Sequence, residues 1–200
     1  MANSPKHLLI RKAKQGDSKR IASLLSLAML DIIYGFIGEG NTEKALVFMS
    51  SLVSETGNQY SFENCWVLEV NNEVIAAACV YDGAKLQELR IPVISKIKEM
   101  FHRDFVPEDE TQPGEYYIDS IGVDPKFQGQ GLGTSIFEFL IGHYVISNNQ
   151  TLGLLVEKEK TMAKKLYQKL GFKFVGEKTL VGKPMEHMQF SPQYFNPGRV

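Results

Sequence analysis

The run VDPKFQGQGLGTSIF, Val123 to Phe137, sets glycines at positions 129, 131 and 133, where an apolar β-forming stretch meets an amphipathic one. Glycine adopts backbone conformations that other residues resist and leaves the space over the main chain empty. A strand that turns through such a loop into a helix presents unpaired N–H groups at the positive end of the helix dipole, which suits a phosphate. The competing reading is a tight turn that packs strand against helix without any ligand.

The flanks agree with a strand-turn-helix unit. EYYIDSIGV is β-forming and stops at Asp124-Pro125, and TSIFEFLIGHYVI carries a helical pattern. Near the start, HLLIRKA reads as a strand. Gly16-Asp17-Ser18 then caps a helix with Ile21, Leu24, Leu25, Ala28 and Met29 at helical spacing. A second helix is expected over Thr42 to Ser54 with Thr42 as its N-cap. ENCWVLEV and EVIAAACV form a hairpin about Asn71-Asn72. A two-residue turn sets residue 65 opposite 78, which sends Cys65 and Cys79 to opposite faces as reduced core residues. No further ligands stand at zinc spacing, so no metal is expected.

Downstream, LGLLVE is a strand and TMAKKLYQKL a helix closed by Gly171, with FKFVGEK and MEHMQF as final strands. The segment from Gly83 to Gly114 looks inserted: a helical pattern breaks at Pro92, resumes through Ile94, Ile97 and Phe101, and ends in the acidic loop VPEDETQPGE. The order is β, α, α, β, β, insert, β, α, β, α, β, β. It describes one α/β (α+β) domain over residues 1–200, a mixed sheet covered by helices, with an inserted helical segment at about 83–114.

A chain of 200 residues, 44% of them hydrophobic, is long enough to close a single core. Its net charge of −1 and pI near 6.4 leave no basic excess to hold nucleic acid. Leu8-Leu9-Ile10 is too short an apolar run for a signal-peptide core or a membrane span. The expectation is a cytoplasmic protein with neither nucleic acid nor membrane as partner. Exposed final strands leave a homodimer open.

Three phosphate-loop patterns can be tested against the glycines. A P-loop needs a lysine before its Ser or Thr, and Thr134 follows Gly133 directly. A dinucleotide fingerprint needs a glycine where Thr134 stands, and the following βαβ order is missing. The third, Q/R-x-x-G-x-G/A, is met by Gln128-Gly129-Gln130-Gly131-Leu132-Gly133. In this the chain resembles the GCN5-related N-acetyltransferases (GNAT). A second block of that family, a strand, then A-x-x-x-Y on a short helix, then K-x-G-F, is matched by Ala163, Tyr167, Lys169, Gly171 and Phe172.

The resemblance implies a mostly antiparallel sheet of about seven strands, splayed between the fourth and fifth, with acetyl-CoA as co-substrate. Main-chain groups of Ile121, Gly122 and Val123 would hold the pantetheine arm. The amides of Gln128, Gly129, Gln130, Gly131, Leu132, Gly133 and Thr134 would hold the pyrophosphate. Tyr167 would protonate the departing thiolate, although by itself it reads as part of an apolar helix face with Ala163, Leu166 and Leu170. Where the family often has asparagine this chain has Lys160, which either reaches a phosphate or is an exposed helix-start lysine.

Asp119 is the candidate base, since 119, 121 and 123 share a face on a strand; Tyr117 and Glu115 are alternatives, and a carboxylate satisfied by its neighbours is the competing reading. His187 could stand by the acceptor pocket or be a plain sheet residue. Glu39, Glu108, Asp109, Glu110 and Glu115 could draw a cationic amine, against the ordinary reading of a solvated acidic loop. The implied activity is acetyl transfer to a primary amine of a small molecule or protein. A non-catalytic coenzyme A binding module and the use of a longer acyl-CoA are the alternatives.

Overall fold

A computed structural model of the chain describes residues 8–194. β1 (Leu8–Lys12) leads into α1 (Ser18–Ile37) and α2 (Thr42–Ser54), then the hairpin β2 (Cys65–Val70) and β3 (Glu73–Asp82), then α3 (Leu86–Phe101). β4 (Tyr116–Val123), α4 (Leu132–Leu140), β5 (Leu152–Glu157), α5 (Thr161–Leu170), β6 (Lys173–Leu180) and β7 (Lys183–Phe190) follow. The strands form one open sheet in the order β1-β2-β3-β4-β5-β7-β6, antiparallel except between β4 and β5. Element order and the mixed sheet are those expected.

Each sheet face buries its own core. One packs α1, α2 and α3 against Val67, Ala77, Cys79, Tyr81 and Tyr117. The other packs α4 and α5 against Leu68, Ala78, Ile118, Leu154 and Met188. The apolar stripe of α1 explains its place: Ile21, Leu24, Leu25 and Ile33 are fully buried. The stretch Gln15–Ile37 is long and apolar enough to cross a bilayer by length and composition, but 56% of its apolar window is buried within the fold, as in a core helix. The helix breaks at Met29, whose φ of −130° and ψ of 25° are non-helical.

Four local expectations are corrected. The hairpin turns at Asn71 and Asn72, with φ of 51° and 65° as a two-residue turn requires. Yet Leu68 pairs with Ala76 and Glu69 with Val74, leaving Ile75 as an extra residue. That bulge shifts the register by one, so Cys65 pairs directly with Cys79 on a single face. Both are buried free thiols, and contact with Cys65 together with burial keeps the Cys79 thiol protonated.

Asn41 caps α2 in place of Thr42, its side chain accepting the Lys44 N–H at 3.0 Å. Asp17 stands at the start of α1, but its carboxylate accepts from Arg11 and the Lys14 N–H and makes no cap bond to that helix. Finally, α3 runs unbroken through Pro92. The ring removes the bond to the Glu88 carbonyl, and Glu88 lies on the exposed face where water can replace it.

Candidate active site

β4 and β5 are laddered at only three positions: Tyr116 with Leu152, Tyr117 with Gly153, Ile118 with Leu154. Beyond these the strands part, and a cavity of about 320 Å³ lies in the gap. A local cause is visible in β4. Val80 pairs with Ile118 and Cys79 with Ser120, so Asp119 is an extra, bulged residue. A bulge bends its strand and increases its twist. It also overturns the expected alternation: Ile121 and Val123 pack with the α4 side, while the Asp119 carboxylate lies 3.5 Å from Gln59 Nε2 on the α1 side. Tyr117 remains on the α1 face with it.

The glycine loop stands at one mouth of the cavity. Gly131, with φ of 80°, is the residue before α4, and Gly129 has φ of 73°. A Cβ at either would meet nothing within 4 Å, so these two glycines are required by backbone conformation and leave open space outside the loop. The first helical bond runs from Ser135 N to Gly131 O at 3.0 Å. The N–H groups of Leu132, Gly133 and Thr134 therefore fall in the first helical turn, which has no earlier carbonyl to bond. A surface depression lined by Phe127, Gln128, Gly129, Gly131, Leu132 and Thr134 continues from the cavity through Ile121, Val123, Gly133 and Leu166. Gln128 Nε2 donates to the Val123 carbonyl at 3.1 Å and ties the loop to β4, while Gln130 is exposed. Gly122 serves packing: a Cβ there would collide with the Leu24 carbonyl of α1.

α5 supplies the opposite wall. Tyr167 lines the cavity with its ring 5.2 Å from Phe137 and 6.2 Å from Phe172, and burial raises its phenol above the ordinary range. Ala163 and Leu166 lie beside it. Lys160, exposed at the start of α5, lines the rim with its ammonium 3.1 Å from Glu157.

On the α1 side the acidic loop is solvated only in part: Glu108 and Asp109 are exposed, while Glu110 and Glu115 are buried. Glu110, 3% exposed, lines the cavity and accepts from the Tyr81 hydroxyl at 2.8 Å, from Gln59 Nε2 at 3.1 Å and from Arg90. Arg90 also donates to the Pro107 and Glu108 carbonyls and to Asp109, so α3 clamps the whole turn. Asp119 opens onto the cavity. Burial, then the charge of Glu110, push its carboxyl up to about 8.

The other acids lie elsewhere. Glu39 pairs with Lys44, and Glu108 accepts the Val181 and Gly182 N–H groups. Glu115 is buried over Gly153, bonded to His187 Nε2 at 2.8 Å, Gln189 Nε2 at 2.6 Å and Thr111 Oγ1 at 2.7 Å. His187 is thus a buried partner of Glu115 and does not line the cavity. Arg90, Gln59 and Tyr60 were not read from sequence. For Arg90 a signal existed: it completes the buried stripe Leu86, Arg90, Val93, Ile97 of α3.

Residues 47–172 match the Acetyltransferase (GNAT) family. A solved acetyltransferase is 30% identical and superposes with a TM-score of 0.74 over 92% of this chain and 98% of its own. The fold is also that of an N-acetyltransferase from Staphylococcus aureus Mu50, with 21% identity and a TM-score of 0.78 over 91% and 100% of the two chains. Mycothiol acetyltransferase of Gordonia bronchialis is 33% identical over 84 residues, 42% of this chain and 26% of that protein. Spermine/spermidine N(1)-acetyltransferase of Bacillus subtilis is 30% identical over 71 residues, 35% and 47% of the two. The matched segment thus spans about a quarter to a half of these relatives. With the family match covering well over half of its residues, the chain belongs to the GNAT family of acetyltransferases.

Proposed function

We propose that the protein is an N-acetyltransferase that takes acetyl-CoA as co-substrate and acetylates a primary amine by direct attack in a ternary complex. One observation carries this reading: a cavity in the β4–β5 gap, with Asp119 on one side and Tyr167 in its wall, runs on through Ile121, Val123, Gly133 and Leu166 into the depression over the open glycine loop. Open amides at the start of α4 fit a diphosphate. Main-chain groups of Ile121 and Val123, beside the gap, hold the pantetheine arm.

Asp119, when ionised, accepts a proton from the acceptor ammonium, and the neutral nitrogen attacks the acetyl carbonyl carbon. The new N–C bond forms as the C–S bond breaks. Tyr167 gives its hydroxyl proton to the departing thiolate, and its phenolate is reprotonated by the proton that the acylated nitrogen sheds, while Asp119 returns its own to solvent; a phenol raised by burial is protonated at neutral pH. Ala163 leaves room beside that hydroxyl, and Lys160 stands at the rim within reach of the coenzyme's anionic end.

The test is thiol release from acetyl-CoA over a panel of amines, beside thermal-shift titration with coenzyme A. Stabilisation with turnover is expected. Stabilisation without turnover on any amine would favour a non-catalytic binding module, and no stabilisation would remove the glycine loop from its role. Tyr167→Phe should lower kcat about 10²-fold with coenzyme affinity nearly intact; an unchanged kcat would exclude Tyr167 as the acid.

A further inference from the structure

Three segments converge on the α1 side of the cavity: α1 beyond its break at Met29, the loop from 102 to 115, and the tip of the β6–β7 hairpin. Met29, Ile32 and Phe36 come from the first, Glu110 from the second, Leu180 and Met185 from the third. The three are bonded to one another. Glu108 accepts from Val181 N at 2.9 Å and Gly182 N at 3.1 Å, and Lys178 Nζ donates to the Asp109 carbonyl at 3.3 Å. Arg103 donates to the Gly35 and Phe36 carbonyls. The Val181 side chain fills the space over Gly35, where a Cβ would overlap it. Val181 has φ of 52°, a left-handed conformation that a β-branched residue resists, so the two amide bonds to Glu108 hold the tip in place against strain.

Behind this latch the acceptor side is small, with apolar walls from Met29, Ile32, Phe36 and Leu180. The whole cavity, about 320 Å³, lies at the bottom of the range of roughly 300–1,000 Å³ usual for small-molecule sites, and the acetyl end of the coenzyme must share it. Its ionisable groups on this side are Asp119, Glu110, Glu157, which pairs with Met185 on the same face, and the tyrosines Tyr60 and Tyr117. Glu110 is already neutralised by Arg90, and Glu157 by Lys160 and Lys183. One ammonium can therefore be received, at Asp119; a second would lie unpaired among Met29, Ile32, Phe36 and Leu180, at a desolvation cost.

Building on the acetyltransferase reading, we infer that the acceptor is a small primary amine with one cationic head and an apolar body, and that the Glu108 latch on Val181 and Gly182 excludes polypeptide amines. The experiment compares kcat/KM for butylamine and phenethylamine with that for spermidine and for a hexapeptide N-terminus, on the wild type and on Glu108→Ala and Glu108→Leu, each of which removes the acceptor of both amide bonds.

The monoamines should exceed spermidine and the peptide by at least about 10-fold in the wild type. Both latch variants, checked for folding by thermal unfolding, should raise the ratio of peptide to monoamine kcat/KM several-fold. A wild-type preference for spermidine or the peptide overturns this inference while leaving the acetyltransferase reading intact. An unchanged ratio in both folded variants overturns the part given to the latch. Binding of acetyl-CoA without turnover of any amine overturns the acetyltransferase reading, and this inference with it.

Discussion

Arg90 of α3 and Glu110, 20 residues later, are 2% and 3% exposed and bonded to each other at the cavity wall. The pair holds the loop that carries Glu110 against the sheet, because the same guanidinium takes the carbonyls of Pro107 and Glu108. A buried charge left without its partner costs about 3–5 kcal/mol. Arg90→Met should therefore lower unfolding stability by that amount in urea at pH 7, and Glu110→Gln in the same chain should recover part of it. A loss under about 1 kcal/mol would mean that the pair is not buried in solution.

Asp119 couples activity and stability in opposite senses. Its carboxyl titrates near 8 in the folded chain, against about 3.9 when unfolded. The folded state therefore binds the extra proton between these values, and this residue's contribution falls as pH rises from about 4 to 8. Asp119→Asn should raise stability at pH 8 by on the order of 1 kcal/mol, about 3 °C in Tm for a chain this long. As a base Asp119 works only when ionised, so kcat/KM should climb with pH to a plateau above about 8, and the variant should lose 10²-fold or more. A wild-type profile flat from pH 6 to 9 would assign the base elsewhere.

Substitution in the glycine loop separates folding from binding. Gly131→Ala meets no atom within 4 Å but must hold φ of 80°, which costs about 1 kcal/mol. The variant should stay folded, with Tm a few degrees lower. Its thermal stabilisation by coenzyme A should shrink by much more, since the methyl group or a shifted turn sits where the diphosphate approaches. Equal stabilisation of variant and wild type would place the phosphates away from this loop.

Glu115 carries a different pH signature. Burial pushes its carboxyl up, but bonds from His187, Thr111 and Gln189 outweigh this and hold it below the usual range. Its stabilising effect is thus present above the unfolded value near 4.3 and is lost as pH falls through the folded one. Glu115→Gln should cost about 1–3 kcal/mol at pH 7 by denaturant unfolding, with the gap narrowing at pH 3.5. A gap that stays constant would assign the cost to packing over Gly153.

Local patterns were legible because they are local. Asn71-Asn72, Gly131, Gly171 and the apolar run of β5 mark their turns and elements by conformation and periodicity. The bulges at Ile75 and Asp119 leave no such mark, since either strand reads as regular alternation until its partner is known. Regular alternation therefore sets Cys65 and Cys79 on opposite faces and Asp119 on the face of Ile121, and the bulges reverse both. In the 106–115 loop Glu108 and Asp109 are exposed, as a solvated loop requires, but Glu110 and Glu115 are buried against partners that come from afar: Arg90 from α3, His187 from a strand 72 residues on. An arginine inside the apolar stripe of α3 and a glycine at position 153 inside an apolar strand were the available clues.

The three-rung ladder between β4 and β5 also has a mechanical meaning. The sheet amounts to two plates, one of four strands and one of three, sharing a seam from Tyr116 to Ile118. Glu115 reaches across that seam to His187 and Gln189 on β7, as a rivet placed at the closed end of a hinge. Strain entering either plate should concentrate there, and backbone amides along the seam should exchange with solvent deuterium sooner than those of β2 and β3; the reverse order would mean that the plates move as one.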